Sequence, residues 1–280
     1  DVLAYNTHFN GLIANFAINE SFLNTAQLRS SIISHAEALG YVPRSYTSSQ
    51  AKLNLSISIS ASNRPNLVDL PRGATFTTSI DNVSYTFRTR EKYTATPNSA
   101  GVYNFVTDDG IAEIPVYEGI EKVKTFFVGD TSDNQIYVIP DITIDTTTIR
   151  VRVFDTAVSS TFDTYTNINT AKRITPTSTH YQIKEVPNGY YEIIFGDGLS
   201  TGKAPSAGNM IKIDYLSTKG PAANGASIFS TSVQVQGQNL SVLTNTASAG
   251  GSFREGIESI RQNAPIYFTS QRRMVTAEDY

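Results

Sequence analysis

The sequence contains no cysteine and no tryptophan, and only two methionines and three histidines among its 280 residues. Without cysteine there can be no disulfide framework, no thiolate metal site and no cysteine nucleophile, which fits folding in a reducing cytoplasm. Stability must therefore come from apolar burial and hydrogen bonds. No window approaches the roughly 20 apolar residues that cross a bilayer, and the N-terminus has no signal-peptide pattern.

Charge of either sign is scarce. Lys and Arg total 22 against 25 Asp and Glu, so the formal net charge is -3, and neither sign forms an extended run. We therefore expect neither a nucleic acid nor an anionic membrane as a partner.

Metal-ligand patterns are also missing. His8, His35 and His180 stand far apart, and none has a second histidine or a carboxylate at ligand spacing. Asp130 to Asn134 alternates oxygen donors as a calcium loop does, but Gln135 stands where the sharp turn requires glycine. We expect a solvated turn there, and no metal or cofactor in the protein.

No motif in the sequence has the residues and spacing that a catalytic or phosphate-binding site requires. The segment from Gly196 to Lys203 resembles a phosphate-binding loop, yet only three residues separate its second and third glycines and alanine follows the lysine. A hairpin turn with positive φ is the favoured interpretation. There is no Gly-x-Ser-x-Gly elbow, and Asp108-Asp109 before Gly110 is typical of a β-turn. We predict no enzyme, and a structural turn motif at Gly196, Asp197 and Gly198.

The first forty residues predict helices. Thr25 is a plausible N-cap for a helix that ends near Gly40, and its apolar residues recur near 3.6-residue spacing. A second amphipathic pattern spans His8 to Ala17. Both helices need something to cover their apolar faces, so we predict a partner interface, and the open alternative is that the helices cap the chain's own β core. The candidate interface residues are Phe9, Leu12, Phe16, Leu28, Ile32 and Leu39.

Strand patterns dominate the middle of the chain. Lys52 to Ala61 alternates apolar and polar residues strictly, so one face of a strand is buried and the other is wet. Short runs separated by tight turns, with no helical pattern between them, favour antiparallel β structure over a βαβ sheet. The further predicted strands are 74–80, 83–88, 102–106, 113–117, 122–128, 148–154, 181–186, 190–195 and 210–215.

We expect an α+β fold, predominantly antiparallel β, with two β-rich subdomains flanked by N-terminal and C-terminal helices. A capping box at Ser252 and Glu255 predicts the C-terminal helix, with a stripe that ends before Pro265. Because Asp1 is not methionine and a helix start is predicted at Thr276, we expect both termini to be cuts within a longer protein. The predicted segments are 1–46 (helical), 47–128 and 129–221 (β-rich), 222–251 (extended return) and 252–280 (helical).

Several strings resemble the T4-type phage baseplate wedge proteins within the baseplate J family. They occur in the same order and spacing, and they span nearly the whole chain. They begin with Leu3-Ala-Tyr-Asn-Thr7 and Thr25-Ala-Gln-Leu-Arg-Ser-Ser31, continue through Pro71-Arg-Gly-Ala-Thr-Phe76 and Tyr190-Tyr-Glu-Ile-Ile-Phe-Gly-Asp-Gly198, and end with Ile213-Asp-Tyr-Leu-Ser-Thr-Lys-Gly220 and Gln271-Arg-Arg-Met-Val-Thr-Ala-Glu-Asp-Tyr280.

The resemblance implies a structural subunit of a contractile tail baseplate, assembled in the host cytoplasm. It further implies a homodimer within each wedge, contacts with other wedge proteins and closure of a sixfold plate. Two alternatives remain open at this point. One is a β-rich module of a virion that binds a glycan or receptor, and the other is a carbohydrate-active enzyme, which would need two carboxylates facing one cleft.

Overall fold

The computed structural model describes residues 1–60, 64–129, 136–171 and 173–270. Two β-sheets contain most of the regular secondary structure in the described residues, and three α-helices lie towards the ends of the chain, so the expected α+β class is confirmed. The calcium-like segment from Asp130 to Asn134 lies outside the described residues, as do the string that begins at Gln271 and the helix start at Thr276.

The first sheet is antiparallel throughout and has the order β17-β1-β7-β4-β3, with β6 also pairing β1. The central strand β1 buries Ala51, Leu53, Leu55 and Ile57 on one face, as its alternating sequence predicts. Its strands are β1 (Gln50–Ser58), β3 (Thr75–Ile80), β4 (Val83–Thr89), β6 (Val102–Asn104), β7 (Ile114–Glu118) and β17 (Ser241–Ala249).

The second sheet has the order β8-β14-β10-β11-β12-β13-β9. All its pairs are antiparallel except β11 with β12, which run parallel over two residues. Its strands are β8 (Ile120–Phe127), β9 (Tyr137–Ile139), β10 (Ile144–Phe154), β11 (Phe162–Asn167), β12 (His180–Glu185), β13 (Tyr191–Phe195) and β14 (Met210–Ser217). Two small hairpins complete the β structure: β2 (Val68–Leu70) with β5 (Tyr93–Ala95), and β15 (Gln234–Val235) with β16 (Gln238–Asn239).

The segment 222–251, expected as an extended return, belongs to the first sheet. β17 pairs with β1 from Gln50 to Ser56, and Phe229 and Leu240 are buried in the same core as Leu53. The sheets change at Gly119, between β7 and β8, which is earlier than the predicted boundary after residue 128. The division into five segments otherwise stays a prediction.

The N-terminal helices differ from their predicted bounds. α1 spans Val2–Glu20, longer than expected, and α2 spans Arg29–Ala38. Thr25 is not an N-cap, because its hydroxyl donates to the Asn19 carbonyl. The Glu20 carboxylate instead accepts the N–H groups of Gln27 and Leu28, at 2.8 and 3.2 Å, so the chain enters α2 only after Leu28.

The predicted capping box at Ser252 and Glu255 is wrong. Ser252 exchanges two backbone hydrogen bonds with Thr47, and the Glu255 carboxylate bonds to another part of the chain. α3 begins later, at Ile257, and runs to Ser270 through Pro265. It packs on α2, and the two helices share a small core of Ala26, Ile32, Ala36, Ile260 and Ala264.

Gly119 allows the chain to pass from one sheet to the other. Its φ is +140°, and a Cβ there would lie 2.9 Å from the Ser217 carbonyl oxygen. A residue with a side chain would be strained by the positive φ and by the close contact with the Ser217 carbonyl.

We expect Gly119→Ala to lower the free energy of unfolding by about 1–3 kcal/mol, measured by urea denaturation. Gly110→Ala is the matched control, because Gly110 also has positive φ (+78°) but no atom lies within 4 Å of the point that a Cβ would occupy there. Equal losses of unfolding free energy in the two variants would show that the close approach of Ser217 to Gly119 adds no strain.

Candidate partner interface

α1 is a helix with no buried residue. Val2, Tyr5, Phe9, Leu12 and Phe16 follow one another at spacings of three, four, three and four residues, so they lie along one face. Phe9 and Leu12 are 47 and 58% exposed, and Tyr5 stacks on Phe9 with ring centroids 6.1 Å apart. We call these five residues the α1 seam.

The seam lies on a helix that has almost no charged side chains. Between Val2 and Asn19 the helix has no Lys, Arg, Asp or Glu, and His8 is its one titratable side chain besides tyrosine. A helix on the surface of a monomer ordinarily carries charged residues on its wet side. A long, uncharged helix with exposed aromatic residues is typical of an interface.

The C-terminal end of α1 is fixed to α2. The backbone N–H of Gln27 chiefly holds the pKa of the Glu20 carboxyl below its ordinary value, and the Glu20 carbonyl lies 2.9 Å from Nε2 of His35. The seam is therefore attached to the rest of the protein at one end.

The predicted interface residues separate into two groups. Phe9, Leu12 and Phe16 lie on the seam, and Leu28, which is also exposed, precedes α2. Ile32 is fully buried against α3, and Leu39 packs against the same small core. Ile32 thus helps to hold α2 to α3 within this chain, while a partner contact at the half-buried Leu39 stays a prediction.

A buried ion pair joins α2 to the second sheet. The Glu185 side chain on β12 is fully buried, and both of its oxygens accept hydrogen bonds from the Arg29 guanidinium, at 2.8 and 2.9 Å. Arg254 adds a longer contact of 3.9 Å. Sequence reasoning missed this pair, because no local pattern connects two residues so far apart along the chain.

A second buried carboxylate, that of Glu255, lies where the chain enters α3. It accepts hydrogen bonds from the Tyr41 hydroxyl, the Arg44 N–H, the Ser259 hydroxyl and the Asn263 amide. Burial alone would raise the pKa of Glu255, but these donors together lower it below its ordinary value. The carboxylate thus fixes the start of α3 to the segment that follows α2.

The turn motif at Gly196, Asp197 and Gly198 is held by its aspartate. One Asp197 oxygen accepts the backbone N–H groups of residues 199, 200 and 201 at 2.7–2.9 Å. The Thr201 and Ser200 N–H groups, in that order, contribute most to a strongly lowered pKa of Asp197. Lys203 pairs with Asp163 at 2.5 Å, and the next regular element is β14 rather than a helix. This geometry is that of a turn and does not form a phosphate-binding loop.

The histidines lie in separate surroundings. His35 contacts the Glu20 carbonyl, and Nδ1 of His180 lies 2.9 Å from the Thr166 hydroxyl. Within the described ranges, no three His, Asp or Glu side chains are grouped so as to hold a metal ion. None of the described helices is both long and apolar enough to span a bilayer.

The chain is similar to known proteins over its whole length. Residues 1–41, which contain α1 and α2, match the family described as "Baseplate wedge protein gp6-like, helical domain". The whole chain is 30% identical to the baseplate wedge protein gp6 of Enterobacteria phage T4. The chain thus resembles the gp6-like baseplate wedge proteins over its whole length. It covers 44% of that relative's length, so it spans less than half of the T4 protein.

The resemblance to T4-type baseplate wedge proteins is thereby confirmed, while the finer placement in the baseplate J family stays a prediction. A solved structure of the anti-feeding prophage baseplate, sixfold symmetrised, matches over 99% of this chain and 50% of its own chain. Its identity of 12% and TM-score of 0.30 are too low for that likeness to carry an argument.

We expect Arg29→Met to lower the free energy of unfolding by about 3–5 kcal/mol, because it leaves the Glu185 charge buried without its main partner. The double variant Arg29→Met/Glu185→Met should recover much of that loss. Urea denaturation measures both variants. Lys203→Met, which breaks an exposed pair, serves as the control and should cost at most about 1 kcal/mol. A loss for Arg29→Met no larger than the control's would show that the pair adds nothing.

Glu255 gives stability a pH dependence. Since its folded pKa lies below the unfolded one, the carboxylate stabilises the fold above the unfolded pKa of 4.5, and this contribution is lost as the pH falls through the folded pKa. Glu255→Gln should therefore cost about 1–3 kcal/mol at neutral pH, and the gap to the parent should narrow as the pH falls below 4.5.

Urea denaturation across that pH range measures the gap. Glu258→Gln, at an exposed carboxylate on the same helix, should leave stability nearly unchanged. A gap for Glu255→Gln that stays constant with pH would contradict the assignment.

Proposed function

We propose that this chain is a non-catalytic structural subunit of a contractile phage tail baseplate wedge, and that the α1 seam binds neighbouring subunits. The observation that carries the proposal is the exposed, uncharged seam within the segment that matches the gp6-like helical domain. The kinship with T4 gp6 supports a place in the tail baseplate of a virion.

The spacing of the seam suits another helix as its partner. Alternating steps of three and four residues keep apolar side chains on the face that meets a second helix in a left-handed coiled pair. α1 is about 28 Å long at 1.5 Å per residue, so it can present more than two heptads. Fully burying each large side chain would contribute about 1.5–3 kcal/mol.

We propose two kinds of partner for the seam. One is a second copy of this chain, which would form a homodimer within each wedge, and the other is a helix of a different wedge protein. Contacts of this kind would link wedge subunits into the sixfold plate and support tail contraction, with assembly in the host cytoplasm. The self-complementary chemistry of an uncharged apolar seam permits both partners.

The double variant Phe9→Glu/Leu12→Glu should lose partner binding while its fold stays intact, because two charges in an apolar helix contact are costly and neither residue is buried within the chain. Co-purification with the other wedge subunits of its own phage, together with light scattering of the isolated chain, measures the loss. Thermal melting checks the fold.

Thr7→Glu is the matched control, because Thr7 is exposed on the opposite face of α1. It should retain both partners. Ile32→Glu should instead unfold the α2–α3 pair, since Ile32 is fully buried there. Retention of every partner by the seam variant would overturn the proposed interface.

A further inference from the structure

A cleft of about 860 Å³ lies between the two sheets. Arg72, Arg90 and Lys92 line it from the first sheet's side, and Arg150 of β10 and Tyr181 of β12 line it from the second. Polar residues of β10 and β11, mostly threonine and asparagine, complete its walls. We call it the arginine cleft.

The lining is strongly unbalanced in charge. It contains four cationic side chains and a single acidic one, Glu91, although the chain as a whole has a net charge of -3. Arg72 pairs with Glu121 at 2.8 Å, and Lys92 pairs with Asp69 at the same distance.

Two of the cations lack such a partner. Within the part of the chain that the structure describes, no carboxylate lies within ion-pair distance of Arg90 or Arg150. Arg90 lies over the ring of Tyr117, 5.4 Å from its centroid. Both side chains are half-buried, so water screens their charge less than it would at a fully exposed site.

Positive charge is crowded around Arg150. Burial, and then the neighbouring guanidinium groups of Arg152 and Arg72, hold the pKa of Arg150 below its ordinary value, and the carboxylates of Asp214 and Glu121 offset this only in part. Arg152 is already paired with Asp214 at 2.5 Å. An anion beside Arg150 would relieve this repulsion, and a planar guanidinium can bind a carboxylate through two parallel hydrogen bonds.

The cleft opens where two strands diverge. β10 pairs with β11 only from Val151 to Phe154, and the lining residues Thr146, Thr147, Ile149 and Arg150 precede that pairing. The walls combine hydroxyl and amide groups with the apolar side chain of Ile149 and two tyrosines. Such a mixture suits the backbone and side chains of a polypeptide.

We propose that the arginine cleft binds an acidic segment of another protein chain, with carboxylates on Arg90 and Arg150. A nucleic acid is disfavoured, because its continuous row of phosphates needs many free cations, whereas only two of the cleft's cations are without an ion pair. The inference does not depend on the α1 seam, and either can fail without the other.

The test is the binding of a fluorescently labelled polyglutamate peptide to the chain, followed by anisotropy at low salt. We expect saturable binding that Arg90→Gln/Arg150→Gln weakens by about tenfold or more, as the loss of charge-assisted hydrogen bonds implies. Arg44→Gln/Arg173→Gln removes the same charge from two exposed positions outside the lining, and should bind as the parent does. Circular dichroism confirms that both variants fold.

Three results would overturn the proposal. The first is that the parent binds no peptide, and the second is that the two double variants lose affinity equally. The third is that inorganic phosphate or a single-stranded oligonucleotide, added as a competitor, binds the cleft better than the peptide does. Tighter binding of the peptide than of either competitor, lost only in Arg90→Gln/Arg150→Gln, supports it.

Discussion

The antiparallel pairing of β17 with β1 is the constraint on which the arrangement of the chain depends. It brings residues near 245 beside residues near 53, after the chain has passed through both sheets. Gly251 then crosses so close to Ser49 and Gly220 that a Cβ there would lie 2.2 Å from the Ser49 hydroxyl. Because the chain returns at this point, α3 lies beside α2, and the small core around Ile32 can form.

Buried carboxylates hold together the units that this return path brings near. Glu118 of the first sheet accepts hydrogen bonds from Thr218 and Lys219, which follow β14 of the second sheet. Asp145 of β10 accepts the Ser48 N–H, just before β1. Glu185 of β12 accepts hydrogen bonds from Arg29 of α2, and Glu255 accepts the Arg44 N–H and so joins the start of α3 to the segment after α2. A buried acid with several donors fixes direction as well as distance, so these contacts define how the units are oriented.

The sequence predicted the elements whose apolar pattern is strong. β1 alternates, and its buried residues are the apolar ones; Phe9, Leu12 and Phe16 share a helix face, as their spacing requires. β17 escaped prediction because Ser241–Ala249 is mostly polar, and it forms by backbone pairing with β1. The predicted capping box is absent because the Glu255 carboxylate accepts hydrogen bonds from Tyr41 and Arg44 instead. The Arg29–Glu185 pair and the arginine cleft depend on tertiary placement, which no local pattern encodes.

Because α1 has no charged side chain between Val2 and Asn19, the contacts that it makes do not depend on attraction between ions. Attraction between ions fades once mobile salt shortens the Debye length, to about 3 Å at 1 M. Burial of apolar surface is not weakened by such screening, and strongly hydrated salts reinforce it. A contact made by this helix would therefore persist at high and at low ionic strength alike.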